Sequence, residues 1–274
     1  MQVAGRNKGD KMGETKKAIL VVSFGTSYQE TRDKTIGAIE REIAAAWPEW
    51  EVRRAFTSGM ILRVLQKRDG IHIDNVTEAM ERLAADGIRD LVVQPTHVIN
   101  GEEYEKMVAL LAPWSGRFER FLVGRPLLTS SEDYDKVVEA VIREAELKEG
   151  DALVLMGHGT EHHVDAAYAA LDYRFKDTGH ENVFVGTVEG YPALEQVHKQ
   201  LKRFGPKRVV LMPFMIVAGD HASNDMAGED EDSWKNIFES QGYAVKCVMK
   251  GLGEIQAVRD IYLEHVRAAM EEQE

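Results

Sequence analysis

Ala152-Leu153-Val154-Leu155-Met156-Gly157-His158-Gly159-Thr160 is an unbroken apolar run that stops at a histidine flanked by glycines. The run has the length and composition of a strand buried on both faces, and helical periodicity follows it. A buried strand that gives way to a helix puts the residues between them at the carboxyl end of a sheet. Open α/β sheets bind their ligands there. Glycine on either side of His158 is expected to leave the backbone open to the close approach of something large.

The pattern occurs twice. Ala18-Ile19-Leu20-Val21-Val22-Ser23-Phe24-Gly25-Thr26 aligns with the first run. Further along, Leu91-Val92-Val93-Gln94-Pro95 through Gly101 aligns with Val209-Val210-Leu211-Met212-Pro213 through Gly219. In this register Phe24 stands where His158 does, and Glu103 stands where His221 does. The two matches keep their order, so the halves read as one α/β domain duplicated.

Strands and helices alternate along the rest of the chain, which predicts parallel sheets covered on both faces. One helix is expected over 30–47, ending before Pro48, and another from Pro192 to Phe204 with the proline in its first turn. Residues 219–232 are expected to form a loop. The expected fold is α/β, two similar domains, each a parallel sheet flanked by helices. Lys148-Glu149-Gly150-Asp151 marks the boundary. The division is a flexible N-terminal extension over 1–15, an N-terminal domain over 16–147, and a C-terminal domain over 148–274 that carries the metal site.

Composition narrows the function. The chain has 274 residues, enough for two domains with substantial cores. A formal charge of −12 is the wrong sign for nucleic-acid binding. A single cysteine, Cys247, excludes an intrachain disulfide and a cysteine-based metal site, so any metal must use His, Asp or Glu. No apolar run reaches the length of a membrane span. The run after Lys16-Lys17 is too short for a signal peptide and has no small-residue cleavage site, so the expected location is cytoplasmic. No P-loop, dinucleotide fingerprint or nucleophile elbow is present, and nothing calls for ATP or a nicotinamide.

Of the nine histidines, His158 and His221 stand apart. Each follows a predicted strand, each has glycine or alanine beside it, and the topology brings both to one edge of the sheet. Glu189 follows the apolar run Val183-Phe184-Val185 in the same way. The ordinary reading of such a carboxylate is a favourable charge at a helix N-terminus. The functional reading joins it to the two imidazoles, a set that suits Co, Ni, Fe or Zn and leaves coordination positions open. Glu102-Glu103 falls at the matching edge of the first half. It reads either as a solvated helix start or as a carboxylate facing the metal and able to take protons. Asp220, Asp225, Glu229, Asp230 and Asp232 surround His221; most such runs are solvated loops, and this one also suits cation attraction.

Six motifs now combine. They are 18–27 (through Phe24-Gly25-Thr26-Ser27), Arg54–Met60, Asn100–Lys106, Met156–His163, Val188-Glu189-Gly190-Tyr191-Pro192 and Met212–Met226. Together they resemble the anaerobic cobalt chelatases of the CbiK family, class II chelatases related in fold to ferrochelatase. The resemblance runs from about Lys16 to the last predicted helix. It implies a lyase that inserts Co²⁺ into sirohydrochlorin for cobalamin biosynthesis, a branch of porphyrin-type tetrapyrrole synthesis. Two protons are released, no nucleotide is used, and no cofactor is needed beyond the substrate metal.

Carried over residue by residue, the resemblance makes His158, His221 and Glu189 the metal ligands, with His158, His221 and Glu103 catalytic. Neutral histidine or Glu103 would accept a pyrrole proton, and the cleft between the halves would distort the macrocycle. Arg54 and Lys106 are candidates to hold its carboxylates. The expected partners are sirohydrochlorin and a divalent metal, with no nucleic acid and no membrane. A homo-oligomer stays open, as does haem binding, since some members of the family are exported and linked to both. The rival readings are a tetrapyrrole or metal carrier without turnover, and a chelatase whose metal is Fe²⁺ or Ni²⁺.

Overall fold

In the computed structural model, residues 15–271 are described. Residues 1–14 and 272–274 lie outside them, and with them nearly all of the expected 1–15 extension. β1 (Lys17–Ser23) is the axis of the first half. Ala18 to Val22 are entirely shielded from solvent, as a strand covered on both faces requires. β2 (Glu51–Phe56) pairs with it on one side and β3 (Asp90–Pro95) on the other, with β4 (Arg120–Val123) beyond β3. The order is β2-β1-β3-β4, all parallel.

β5 (Asp151–Gly157), β6 (Val183–Thr187), β7 (Arg208–Pro213) and β8 (Ala244–Cys247) repeat it as β6-β5-β7-β8. The register repeats too, with Val22 opposite Pro95 and Met156 opposite Pro213. Two four-stranded parallel sheets of identical order are the duplicated α/β fold that the sequence predicts.

Ten α-helices connect these strands among the described residues. They are α1 (Gln29–Lys34), α2 (Ile36–Ala46), α3 (Gly59–Val64), α4 (Val76–Ala85), α5 (Glu102–Leu111), α6 (Ser131–Ala145), α7 (Ala166–Asp177), α8 (Leu194–Phe204), α9 (Trp234–Ser240) and α10 (Gln256–Glu271). Local chemistry fixes several of their starts. The Asn75 side chain accepts from Glu78 N–H and Glu78 returns the bond to Asn75 N–H, and Ser130 and Asp133 do the same for α6.

Three expectations needed correction. The helix over 30–47 is broken at Thr35, which is fully buried beside Gly253; its hydroxyl bonds back to the Thr31 carbonyl at 2.7 Å. Pro192 lies outside α8, because the Pro192 carbonyl is held by the backbone N–H of Thr187 at 2.7 Å. The loop over 219–232 contains a π-helical turn, Ala222–Met226, directly after His221.

Alternation along the central strands divides the core. Ala18, Leu20 and Val22 face α4 and α5, whereas Ile19 and Val21 face a core common to both halves. Leu153 and Leu155 enter that common core, and Ala152, Val154 and Met156 turn outward beneath α8 and α9. Full burial of each such Leu, Ile or Val contributes about 1.5–3 kcal/mol. The common core fixes the two sheets relative to each other and so fixes the cleft between their carboxyl ends.

α10 is part of this joint. It comes last in the chain, yet it packs on α2, α6 and β3 of the first half. Its His265 Nε2 lies 2.9 Å from buried Asp133 on α6, and its Arg259 pairs with Glu42 on α2 at 2.6 Å. We keep 16–147 and 148–274 as the proposed halves, with α10 as the second half's tie across the boundary. No helix among the described residues is long and apolar enough to cross a membrane.

Candidate metal centre

β5 is the strand from which the chain leaves first toward β6 on one side and later toward β7 on the other. Loops that follow such a strand and its neighbours part over a crevice. His158 follows β5 directly, Glu189 lies just past β6, and His221 opens the turn past β7. Ligand atoms of these three side chains lie within 4.8 Å of one another. The two imidazole rings meet at 90° with centroids 4.8 Å apart. All three side chains are partly open to solvent.

Hydrogen bonds assign the tautomers. His158 Nδ1 is 2.9 Å from the Gly159 carbonyl, which can only accept, so Nδ1 carries the proton. Glu189 is 3.8 Å from the same nitrogen, too far for a hydrogen bond. His221 Nδ1–H donates to the Asp225 carboxylate at 2.7 Å. Both imidazoles therefore keep their lone pairs on Nε2. A carboxylate behind a histidine also fixes ring orientation and raises ligand basicity. Asp225, read in the sequence only as part of an acidic run, thus has a defined partner.

The glycines admit a close approach, and the groups that make it belong to the protein itself. A Cβ on Gly157 would lie 2.4 Å from the Tyr168 ring, and one on Gly159 would lie 2.5 Å from the Gly190 nitrogen. Gly159 also has φ +82°, a conformation that side-chain-bearing residues rarely adopt. The close approach at Gly157 is made by the Tyr168 ring on α7, and at Gly159 by the protein's own β6–α8 loop. That loop is stitched to β5 by Val188 N–H to the Gly157 carbonyl at 3.0 Å and Glu189 N–H to the His158 carbonyl at 2.8 Å.

Buried Asp165 completes the bracing. It accepts from Thr160 N–H at 3.0 Å and from Tyr191 N–H. Burial pushes the Tyr168 hydroxyl up to about 12, so it stays protonated beneath the turn. Sequence reasoning named neither residue; their role follows from packing between loops far apart in the chain.

The first half lines the opposite side. Tyr28 donates from its hydroxyl to Asp220, next to His221, at 3.2 Å. Glu105 on α5 reaches His162 Nε2 at 3.3 Å. Glu103, on the first turn of α5, pairs with Lys106 at 3.1 Å and is not among the three converging residues. His97 lies two residues past the end of β3. Both its ring nitrogens are shielded and have no partner among the described residues, and burial lowers its pKa to about 4.

The two basic candidates already have carboxylate partners. Arg54 pairs with Glu40 in a groove that Arg41, Arg53, His72 and Arg82 also line, and Lys106 is engaged by Glu102 and Glu103. His72, Asp74 and Glu78 also converge, but the Arg82 guanidinium lies 3.2 Å from Asp74 and Glu78 caps α4, so that set is already satisfied.

This fold and edge were compared with known proteins. The family model for cobalt chelatase (CbiK) matches residues 17–271. The chain belongs to the CbiK cobalt chelatase family. The sirohydrochlorin cobaltochelatase of Salmonella typhimurium is 45% identical over 256 residues, covering 93% of this chain and 97% of that protein. The sirohydrochlorin cobaltochelatase CbiKC of Nitratidesulfovibrio vulgaris is 33% identical, covering 93% and 91%. Among solved structures, SirB from Bacillus subtilis with Fe³⁺ superposes with a TM-score of 0.66 at 16% identity, covering 94% of this chain and 97% of SirB. CbiX, described as the terminal enzyme of sirohaem biosynthesis in denitrifying bacteria, gives 0.56 at 15%, covering 92% and 99%. At such identities these two likenesses speak for the fold alone. In this CbiK-family chain, the residues at the second sheet's edge are a nitrogen, nitrogen and oxygen set open to solvent.

Proposed function

We propose that the protein is a sirohydrochlorin cobaltochelatase, a lyase that inserts Co²⁺ into sirohydrochlorin with release of two protons and without ATP. The observation that carries this reading is the convergence of His158, Glu189 and His221 above the switch point, in a chain whose curated relatives bear that name. Nε2 of each imidazole and one Glu189 oxygen hold the substrate metal, leaving positions for pyrrole nitrogens. The macrocycle lies in the cleft against Phe24, and its distortion draws on binding energy from the periphery. Glu103, on the first-half side, and the histidines displaced from the metal are the proposed proton acceptors.

We propose Co²⁺ as the physiological metal and no further cofactor. Fe²⁺ and Ni²⁺ remain its competitors, because an imidazole and carboxylate set follows affinity trends. The proposed location is the cytoplasm, and homo-oligomers are compatible with the reading. The test is the visible spectrum of sirohydrochlorin under anaerobic conditions with catalytic amounts of protein and Co²⁺, Fe²⁺ and Ni²⁺ supplied singly and in competition. Many turnovers with preference for Co²⁺ are expected. A shift that stops at one equivalent would make the protein a carrier, and preference for another metal would reassign it within the chelatases.

A further inference from the structure

The cleft's first-half wall carries a feature that the metal chemistry leaves unused. α3 runs on into a π-helical turn, Leu65–Asp69, so 59–69 is one continuous helical segment. Both its ends are tied to the loop after β1. Ser58 N–H donates to the Phe24 carbonyl at 3.2 Å, and the Arg68 guanidinium donates to the Ser27 carbonyl. The segment therefore lies along the loop whose Phe24 stands where the second half has His158, and whose Tyr28 reaches Asp220.

Its outward stripe falls at helical spacing. Met60 (60% exposed) and Val64 (36%) are apolar, while Arg63, Lys67 and Arg68 are exposed cations. These five residues line one depression of about 420 Å³. Arg68 is paired with Asp69, but Arg63 and Lys67 have no carboxylate partner among the described residues. Phe24 and Tyr28, each 43% exposed, stand on the loop to which the segment is tied. Unpartnered cations flanking exposed apolar side chains, in a chain of net charge −12, complement a flat apolar body rimmed with carboxylates.

We propose that Met60 and Val64 pack against the tetrapyrrole and that Arg63 and Lys67 hold its peripheral carboxylates, making α3 a specificity-determining element for a polycarboxylate macrocycle. This rests on the chelatase reading. Arg63 and Lys67 take the place of Arg54 and Lys106, which the structure shows already paired.

The test is Arg63→Ala/Lys67→Ala in the full chain. Circular dichroism checks its fold, and the charge-preserving Arg63→Lys/Lys67→Arg is the rescue. KM for sirohydrochlorin should rise about 10-fold, the sum of two partly exposed charge contacts. The kcat should stay within about twofold, and the salt dependence of KM should flatten. Co²⁺ affinity in the absence of sirohydrochlorin should not change, and the rescue variant should recover most of the KM. An unchanged KM, or a loss confined to kcat or to Co²⁺ affinity, overturns the proposal. Direct absorbance titration with sirohydrochlorin separates the two readings. If the wild type binds but does not turn over, the chelatase reading fails. The α3 proposal then stands or falls on whether the double variant's Kd rises. An unchanged Kd would leave the stripe to some other anionic partner and end the proposal.

Discussion

The turn after β1 and the turn after β5 are built alike. Gly25 and Gly159 both have positive φ. Thr26 accepts from Tyr28 N–H at 3.2 Å, and Thr160 accepts from His162 N–H at 3.1 Å. Thr57 and Ser58 N–H bond the Ser23 and Phe24 carbonyls, as Val188 and Glu189 N–H bond those of Gly157 and His158. The backbones match hydrogen bond for hydrogen bond, and the side chains do not. Phe24, Ser58 and Glu103 stand where the second half has His158, Glu189 and His221. Duplication supplied two equivalent edges, and side-chain divergence gave one two imidazoles and a carboxylate and the other an exposed phenyl ring, a hydroxyl and a carboxylate. A cleft between them can hold a metal on one face and a flat ring on the other.

The largest test of that asymmetry compares His158→Ala with Phe24→Ala. The first should lower cobalt insertion by more than about 100-fold, beyond what loss of an outer partner costs. The second should raise KM for the macrocycle and leave Co²⁺ affinity alone. Steady-state kinetics and metal titration on both variants check this; equal loss of metal affinity would abolish the distinction between the halves.

Asp225→Asn comes next, since it keeps the shape and removes the charge behind His221. Co²⁺ affinity should fall about 10- to 100-fold with the fold intact. An unchanged affinity would mean that Asp225 is only a surface partner of the ring.

A third pair is purely structural. Gly25→Ala and Gly159→Ala should each cost about 1–3 kcal/mol by urea unfolding, because both turns need the left-handed backbone. Only Gly159→Ala should also weaken the metal site, since its Cβ would push on the loop that carries Glu189.

The fourth concerns the joint between the halves. Burial opposes the Asp133 charge, but the hydrogen bond and charge of His265, with Ser130, outweigh it and hold the carboxyl below its usual range. A depressed carboxylate pKa contributes stability above the unfolded value and loses it as pH falls through the folded one. Asp133→Asn should cost about 3 kcal/mol at neutral pH and flatten the acid limb of the stability profile. Urea midpoints across pH would show it. A parallel acid limb would mean the pair does not drive the pH dependence.

The sequence alone carried the strands, their parallel order and the duplication, because apolar runs and helical periodicity are local signals. It also marked His158, Glu189 and His221, since strand ends in an open α/β sheet share one edge whatever the loops do. Other features escaped it. Thr35, where the helix breaks, is packed against Gly253, more than two hundred residues away. Tyr168 and Asp165 matter through contacts with Gly157 and Tyr191 on other segments, which no periodicity records, whereas Asp225 stands one helical spacing after His221 in a stretch that reads as loop. The glycines around His158 were visible, but their reason was not, since only the folded loop shows that Tyr168 and Gly190 fill the space. Charge was the least legible of all. The sequence shows which residues are basic, but ion pairing depends on three-dimensional proximity. The Lys106 pairs with Glu102 and Glu103 are local helix contacts, but only tertiary structure decided that Arg54 meets Glu40 while Arg63 and Lys67 have no carboxylate partner among the described residues.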